Sequence, residues 1–372
     1  LTARGDFDLN MMPKLFSMVV ATALLATGAA QAGPSILVDL NSGRVLEQED
    51  AFAPWYPASL TKLMSVYVTY QAIRAGEITM LSPVRISERA AKEPPSKMGY
   101  KPGSVLTVDN AVKILMVKSA NDVSSALAES VAGSRQAFVK RMNEEAKRLG
   151  MTGTRFVNPH GLHADEQVAT ARDLAILGAA ILKDFPEYSS YYGLEAITAG
   201  DKVMDNNNSL IMRFEGASGM KTGYTCPAGF NLVATATRGG RTLLAVVIGE
   251  PTVEARADKT ANLLARGFTM PGDAAPSLGA IRPTGTEPKQ ATNLRNTICT
   301  EKHWKAVTEA RGPTGKPVYT SPHLKEPTRD PVTVAVSLGG ATGPASSAPQ
   351  YADVPIPTPR PADHVSAVAE GG

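Results

Sequence analysis

Cysteine is nearly absent from this chain: two residues, Cys226 and Cys299, in 372. So small a supply excludes a disulfide-dense scaffold and the zinc sites built from paired cysteines. Histidine is scarce too, with five residues. Neither the histidines nor the carboxylates fall into a zinc or EF-hand spacing, and there is no phosphate loop, so no metal and no cofactor is expected. An excess of one charge is also missing. Lys and Arg number 38 against 35 Asp and Glu, a formal net charge of +3 with the basic residues scattered, which argues against nucleic acid as a partner. The apolar stretch Leu15–Thr27 is too short to span a bilayer comfortably.

What is present begins with an export signature. Met11-Met12-Pro13-Lys14 supplies a short positive start, the apolar stretch follows, and Ala30-Gln31-Ala32 is a small-x-small cleavage site. Cleavage after Ala32 and a periplasmic (extracytoplasmic) address are expected, and residues 1–32 are set aside from the fold. Residues 33–275 have the length and texture of one large domain. Beyond it proline accumulates, and over half of the chain's 27 prolines fall between Pro276 and Pro361. Residues 276–340 read as a Pro-rich appendage with a strand at Pro331–Val336, and 341–372 as a disordered Pro/Ala-rich tail. The tail has no amphipathic period and sets only Arg360 and His364 against Asp353, Asp363 and Glu370. A strong membrane anchor is therefore not expected.

Three short strings occur in order: Ser59-Leu60-Thr61-Lys62, Ser119-Ala120-Asn121 and Lys221-Thr222-Gly223. Each alone is an ordinary coincidence in a chain of this length. Together they supply a hydroxyl nucleophile, a lysine able to take its proton, and a second hydroxyl, an amide and an ammonium to bind and polarise an acyl substrate. Periodicity places them on elements. Ala58–Ala75 has Leu60, Leu63, Met64 and Tyr67 on one face and Gly76 as a stop, so Ser59 falls in the first turn of a buried helix. Lys62 then lies about 4.5 Å further along the axis, within reach of the hydroxyl. Ser119 and Asn121 fall at the break between helices expected over Val108–Lys118 and Asp122–Val131. Ser134–Leu149 and Thr170–Lys183 are further helices. Ile36–Leu40 with Arg44–Glu49, and Phe230–Arg238 with Arg241–Glu250, read as hairpins. Met220–Thr225 reads as a strand beside the nucleophile and Val253–Gly267 as a closing helix.

Over about residues 33–270 this set resembles the D-alanyl-D-alanine carboxypeptidases, low-molecular-mass penicillin-binding serine DD-peptidases related to the class A β-lactamases. The resemblance implies an α/β (α+β) fold, a β-lactamase/DD-peptidase-like antiparallel sheet flanked by helices with an inserted helical subdomain. It implies catalytic roles for Ser59, Lys62 and Ser119, and substrate binding by Asn121, Lys221, Thr222, Gly223 and Arg256. The backbone N–H groups of Ser59 and Tyr224 become the oxyanion hole. Peptidoglycan stem peptides become the substrate and β-lactams covalent inhibitors. It also covers Phe156–Leu162, where Asn158, Pro159 and Gly161 on their own read as a turn.

The chemistry asks most of Lys62. To act as base near neutral pH it must lose roughly 4 kcal/mol of its preference for the charged form. Burial and the charge of Lys221 both act in that direction. Plain alternatives stand beside these roles: Asn121 as a helix cap, Arg256 as a surface helix arginine. Two rival functions also stand. A β-lactamase of class A carries a deacylating Glu-x-x-x-Asn pattern, whereas here Glu166 is followed four residues on by Thr170. A catalytically quiet penicillin-binding sensor or cell-wall scaffold would keep the pocket without turnover. Export also favours a Cys226–Cys299 bridge, against the alternative of a small buried Cys226 and a free Cys299 thiol.

Overall fold

The computed structural model describes residue 2 and residues 33–271 and 275–348. The expected export signal with its cleavage after Ala32, and the tail from 349 onward, lie outside the described residues. Strand β1 (Ser35–Asp39) pairs antiparallel with β2 (Arg44–Glu49) across a turn in which Gly43 takes φ +68°. The expected helix from Ala58 is in fact two pieces, a single 3₁₀ turn at Ala58–Leu60 and then α1 (Thr61–Arg74). The short pair β3 (Pro83–Arg85) and β4 (Val105–Thr107) flanks α2 (Glu88–Ala91).

Four helices follow: α3 (Val108–Val117), α4 (Asn121–Ala132), α5 (Arg135–Arg148) and α6 (Ala171–Asp184). Thr107, Ser134 and Thr170 cap α3, α5 and α6 through their side-chain oxygens. Helix α4 is the exception, because its N-cap is Ala120 and Asn121 turns its amide elsewhere. The hairpin β5 (Ala196–Ala199) and β6 (Lys202–Asp205) and the turn of helix α7 (Leu210–Arg213) lead to three long antiparallel strands. These are β7 (Ala217–Thr225), β8 (Gly229–Arg238) and β9 (Arg241–Glu250), after which α8 (Val253–Thr269) begins under a Thr252 cap.

Strand β1 pairs with β9, so the main sheet runs β2-β1-β9-β8-β7 and joins the two ends of the domain around the helices. Side chains alternate across it with period two. Ile36, Val38, Val246 and Ile248 face the large core shared with α1, α3, α4 and α6. Leu37, Ala245 and Val247 face α8, where they meet Ala257, Ala261 and Leu264. Strand β7 is left at an edge.

The segment beyond 275 departs from expectation. Helices α9 (Arg295–Ile298) and α10 (Glu301–Ala310) stand inside the expected Pro-rich appendage, and Ile298 and Val307 are buried. The expected strand appears as β10 (Thr333–Ala335), parallel to β5. The tail from 341 is expected to be disordered, yet Thr342 and Gly343 donate their N–H groups to the Leu81 carbonyl, and Ser346 Oγ donates to Val131 O at 2.9 Å. Composition misled here because each of these contacts ends on a backbone carbonyl, and two of the three are also donated by backbone, to which Pro, Ala and Ser content is a poor guide.

Candidate active site

Ser59 is the middle residue of the 3₁₀ turn, so its amide is among those a helical start leaves without an intrahelical acceptor. The turn is held under strain. Ala58 has φ +48°, a conformation that costs an L-residue about 1–2 kcal/mol. Two glycines clamp it. A Cβ on Gly161 would lie 1.9 Å from Ala58 O, and one on Gly223 would lie 2.9 Å from Pro57 O and 3.1 Å from Ser59 N. Gly223, expected as a substrate-binding residue, lines the cleft and also makes room for the nucleophile's own backbone.

Lys62, one turn on, is fully buried. Its Nζ lies 3.1 Å from Ser59 Oγ, 2.8 Å from Asn121 Oδ1 and 2.5 Å from the His160 carbonyl. Burial first, and then the charge of Lys221, hold its pKa well below the ordinary lysine value, while Glu93 and Asp122 oppose that shift. Proton counting then fixes direction. A neutral amine has two N–H groups, and the Asn121 oxygen and the His160 carbonyl can only accept them. The lone pair is left for Ser59, whose hydroxyl donates to it.

Ser119 occupies the α3–α4 junction with φ +62°, and its buried Oγ has no hydrogen-bond partner among the described residues. Asn121 Nδ2 donates to Pro94 O at 2.9 Å. Its amide is thus committed at both ends, leaving one N–H for a substrate. Lys221 is buried as well, with Nζ donating to Thr222 O at 2.9 Å. Burial, and after it the Arg256 guanidinium, pushes its pKa down to about 7. Arg256 is itself buried rather than a surface helix residue, bonded to Asn207 O at 3.1 Å and with its Nε unpartnered among the described residues.

These groups surround a cleft of about 540 Å³ along the β7 edge, lined by Ser59, Ser119, Asn121, Thr222, Tyr224 and Arg256 among others. Tyr224 stacks on Phe230 with ring centroids 4.3 Å apart, and Phe230 meets Trp304 of α10 edge-on. Cys226 and Cys299 are bonded to each other, Cα atoms 5.7 Å apart, which fastens α9 beside this rim. Glu166 stands outside the cleft, its carboxylate 2.7 Å from Arg155 at the surface. Sequence reasoning missed Glu93, His160, Phe230 and Val253. Only the Phe156–Leu162 string gave a signal, and it pointed to the loop rather than to the carbonyl that matters.

A sheet closed around a helical insertion, with a serine–lysine pair beneath an edge strand, defines the penicillin-recognising serine peptidase class. Within it, the D-alanyl-D-alanine carboxypeptidase family, peptidase S11, matches residues 20–252, and the chain belongs to that family. It is 40% identical over 240 residues to D-alanyl-D-alanine carboxypeptidase DacC of Escherichia coli, covering 63% of this chain and 60% of that one. DacF of Bacillus subtilis is 35% identical over 246 residues, 65% of this chain and 63% of that protein. The match thus spans about three fifths of the length of these relatives. Among solved structures, penicillin binding protein 5 from Haemophilus influenzae superposes with a TM-score of 0.62 at 37% identity, over 64% of this chain and 71% of that one. Penicillin-Binding Protein D2 from Listeria monocytogenes, in its cefotaxime-bound form, gives 0.58 at 28% identity, over 64% of this chain and 97% of that one.

Proposed function

We propose that the protein is a serine D-Ala-D-Ala carboxypeptidase that trims the terminal D-alanine from peptidoglycan pentapeptide stems. The observation that carries this reading is the Lys62 amine between two obligatory acceptors and the Ser59 hydroxyl. The substrate backbone adds as a strand to the free β7 edge, its terminal carboxylate meeting Thr222, Lys221 and Arg256. An anion there favours the charged forms of Lys221 and Arg256. Ser59 Oγ attacks the penultimate D-alanine carbonyl while its proton passes to Lys62 Nζ. The N–H groups of Ser59 and Tyr224 take the developing oxyanion. Ser119 Oγ, buried and unpartnered, passes the proton from Lys62 to the leaving amine, D-alanine departs, and water resolves the ester.

A β-lactam offers a strained amide and a carboxylate to the same groups, acylates Ser59 and keeps its leaving group tethered. No Asp or Glu is among the described residues lining the cleft, which favours a persistent adduct over β-lactamase turnover. An exported, periplasmic site of action follows from the substrate. No helix among the described residues is long and apolar enough to cross a membrane.

Incubating the protein with a pentapeptide ending in D-Ala-D-Ala, and separately with a penicillin, tests the reading. D-alanine release with slow penicillin turnover is expected. Rapid penicillin hydrolysis would mark a β-lactamase, and neither activity would mark a quiet sensor. Ser59→Ala should lose the penicillin adduct in intact mass while remaining folded, since a helix-start hydroxyl contributes at most about 2 kcal/mol.

A further inference from the structure

Glu93 is a buried carboxylate that the chemistry above does not use. Its Oε1 accepts from Ser125 Oγ of α4 at 2.7 Å and from Arg135 NH1 of α5 at 2.8 Å, and it faces His160 Nε2 at 3.3 Å. Residues 93–96 then reach Lys62 by two routes. Through its side chain, Glu93 lies against the ring of His160, whose Nε2 makes no closer polar contact among the described residues and whose carbonyl accepts from Lys62. Through the backbone, Pro94 O binds Asn121 Nδ2 and Ser96 O binds Asn121 N–H at 2.7 Å, and the Asn121 oxygen is the other acceptor on Lys62. Both obligatory acceptors of the base are thus tied to one tetrapeptide.

We propose, resting on the serine–lysine reading above, that Glu93 is a positioning residue for acylation: its carboxylate fixes the His160 carbonyl that, with Asn121, aims the Lys62 lone pair at Ser59. Burial opposes its ionisation, but the His160 ring, the Ser125 hydroxyl and the Arg135 guanidinium outweigh that and push its pKa down to about 2. It also acts on Lys62 as a charge. The groups facing Lys62 are Lys221, which disfavours its proton, and Glu93 and Asp122, which favour it, with His160 alongside. Around Glu93 itself stand Arg135, His160, Lys62 and Glu129.

The test is the second-order rate of Ser59 acylation by a fluorescent penicillin across about pH 5.5 to 9.5. Glu93→Gln should lower the plateau at least tenfold and move the acid limb to lower pH, because a negative charge facing the base is gone. A merely loosened core would admit water and move that limb to higher pH. Glu93→Asp keeps the charge but cannot reach Ser125, Arg135 and His160 together, so it should lower the plateau and leave the limb in place. A wild-type plateau in either variant, or an acid limb moved upward in Glu93→Gln, overturns the proposal. If Glu93→Gln does not fold, Glu93→Asp decides by its plateau alone. Failure of the wild-type protein to acylate would overturn the serine–lysine reading itself and this proposal with it.

Discussion

Two buried lysines set the terms at the scale of the residue. Burial, and after it the Arg256 guanidinium, pushes the Lys221 pKa down to about 7 in the folded protein, whereas the unfolded chain keeps the ordinary lysine value. Between those limits the unfolded chain binds a proton that the native protein does not, so stability should rise with pH from about 7 to about 10; below 7 the cost of the buried charge is present in full. Lys62 acts in the same direction. Lys221→Met removes one of the two contributions and should lower the slope of stability against pH by up to about 1.4 kcal/mol per pH unit in urea unfolding. Equal slopes in the two proteins would show that Lys221 is not the titrating group. Lys62→Arg addresses chemistry instead. Arginine keeps its charge and cannot present a lone pair, so acylation should fall by a factor of about 10² to 10⁴. An unchanged acylation rate would remove the lysine as base.

At the scale of the element, the nucleophile turn, strand β7 and the Phe156–Leu162 loop meet backbone to backbone. Gly223→Ala should therefore act through Ser59 rather than through the substrate. The added methyl meets Pro57 O and the amides of Ser59 and Leu60, none of which is a flexible side chain. Acylation should drop at least tenfold with a stability loss of about 1–3 kcal/mol. A variant impaired in peptide affinity alone, with a normal acylation rate at saturation, would return Gly223 to the substrate-facing role. What could be read in advance follows the same geometry. Ser59 with Lys62, the helix starts at Val108, Ser134 and Thr170, and the β8–β9 hairpin are local patterns, and local patterns are written in consecutive residues. The His160 carbonyl lies 98 residues from Lys62, and Glu93 sits in a Lys-Glu-Pro-Pro string that carries no catalytic or binding motif. Backbone acceptors and partners so distant leave no mark of residue type. The positive φ at Ala58 and Ser119 is likewise invisible, since neither residue favours it.

At the scale of the whole molecule, the chain beyond 275 braces the catalytic fold at two separate places. On one side the Cys226–Cys299 bridge, the Leu294 N–H bond to Pro227 O at 3.0 Å and the Arg311–Glu254 ion pair hold α9 and α10 against the rim of the cleft. The bridge closes a sequence separation of 73 residues, for which the chain-entropy account gives about 4 kcal/mol. Replacing both cysteines by serine should cost a stability of that order while leaving Ser59 able to react, because neither sulfur touches the serine–lysine pair. Loss of acylation in a folded double variant would instead give the bridge a part in shaping the Tyr224 rim. On the other side β10 adds to β5, Val336 is buried, and Ser82 Oγ donates to Pro344 O near the Leu81 carbonyl that takes Thr342 and Gly343. Comparing a chain that ends at 332 with one that ends at 348 isolates this second brace. Burying one valine is worth about 1.5–3 kcal/mol, and each kcal/mol moves the midpoint of a domain this size by about 2–4 °C. The shorter chain should therefore unfold roughly 5 °C or more below the longer one, with the acylation rate at 25 °C unaffected, since no residue after 332 lines the cleft among those described. Equal midpoints would mean that residues 333–348 rest on the fold without supporting it.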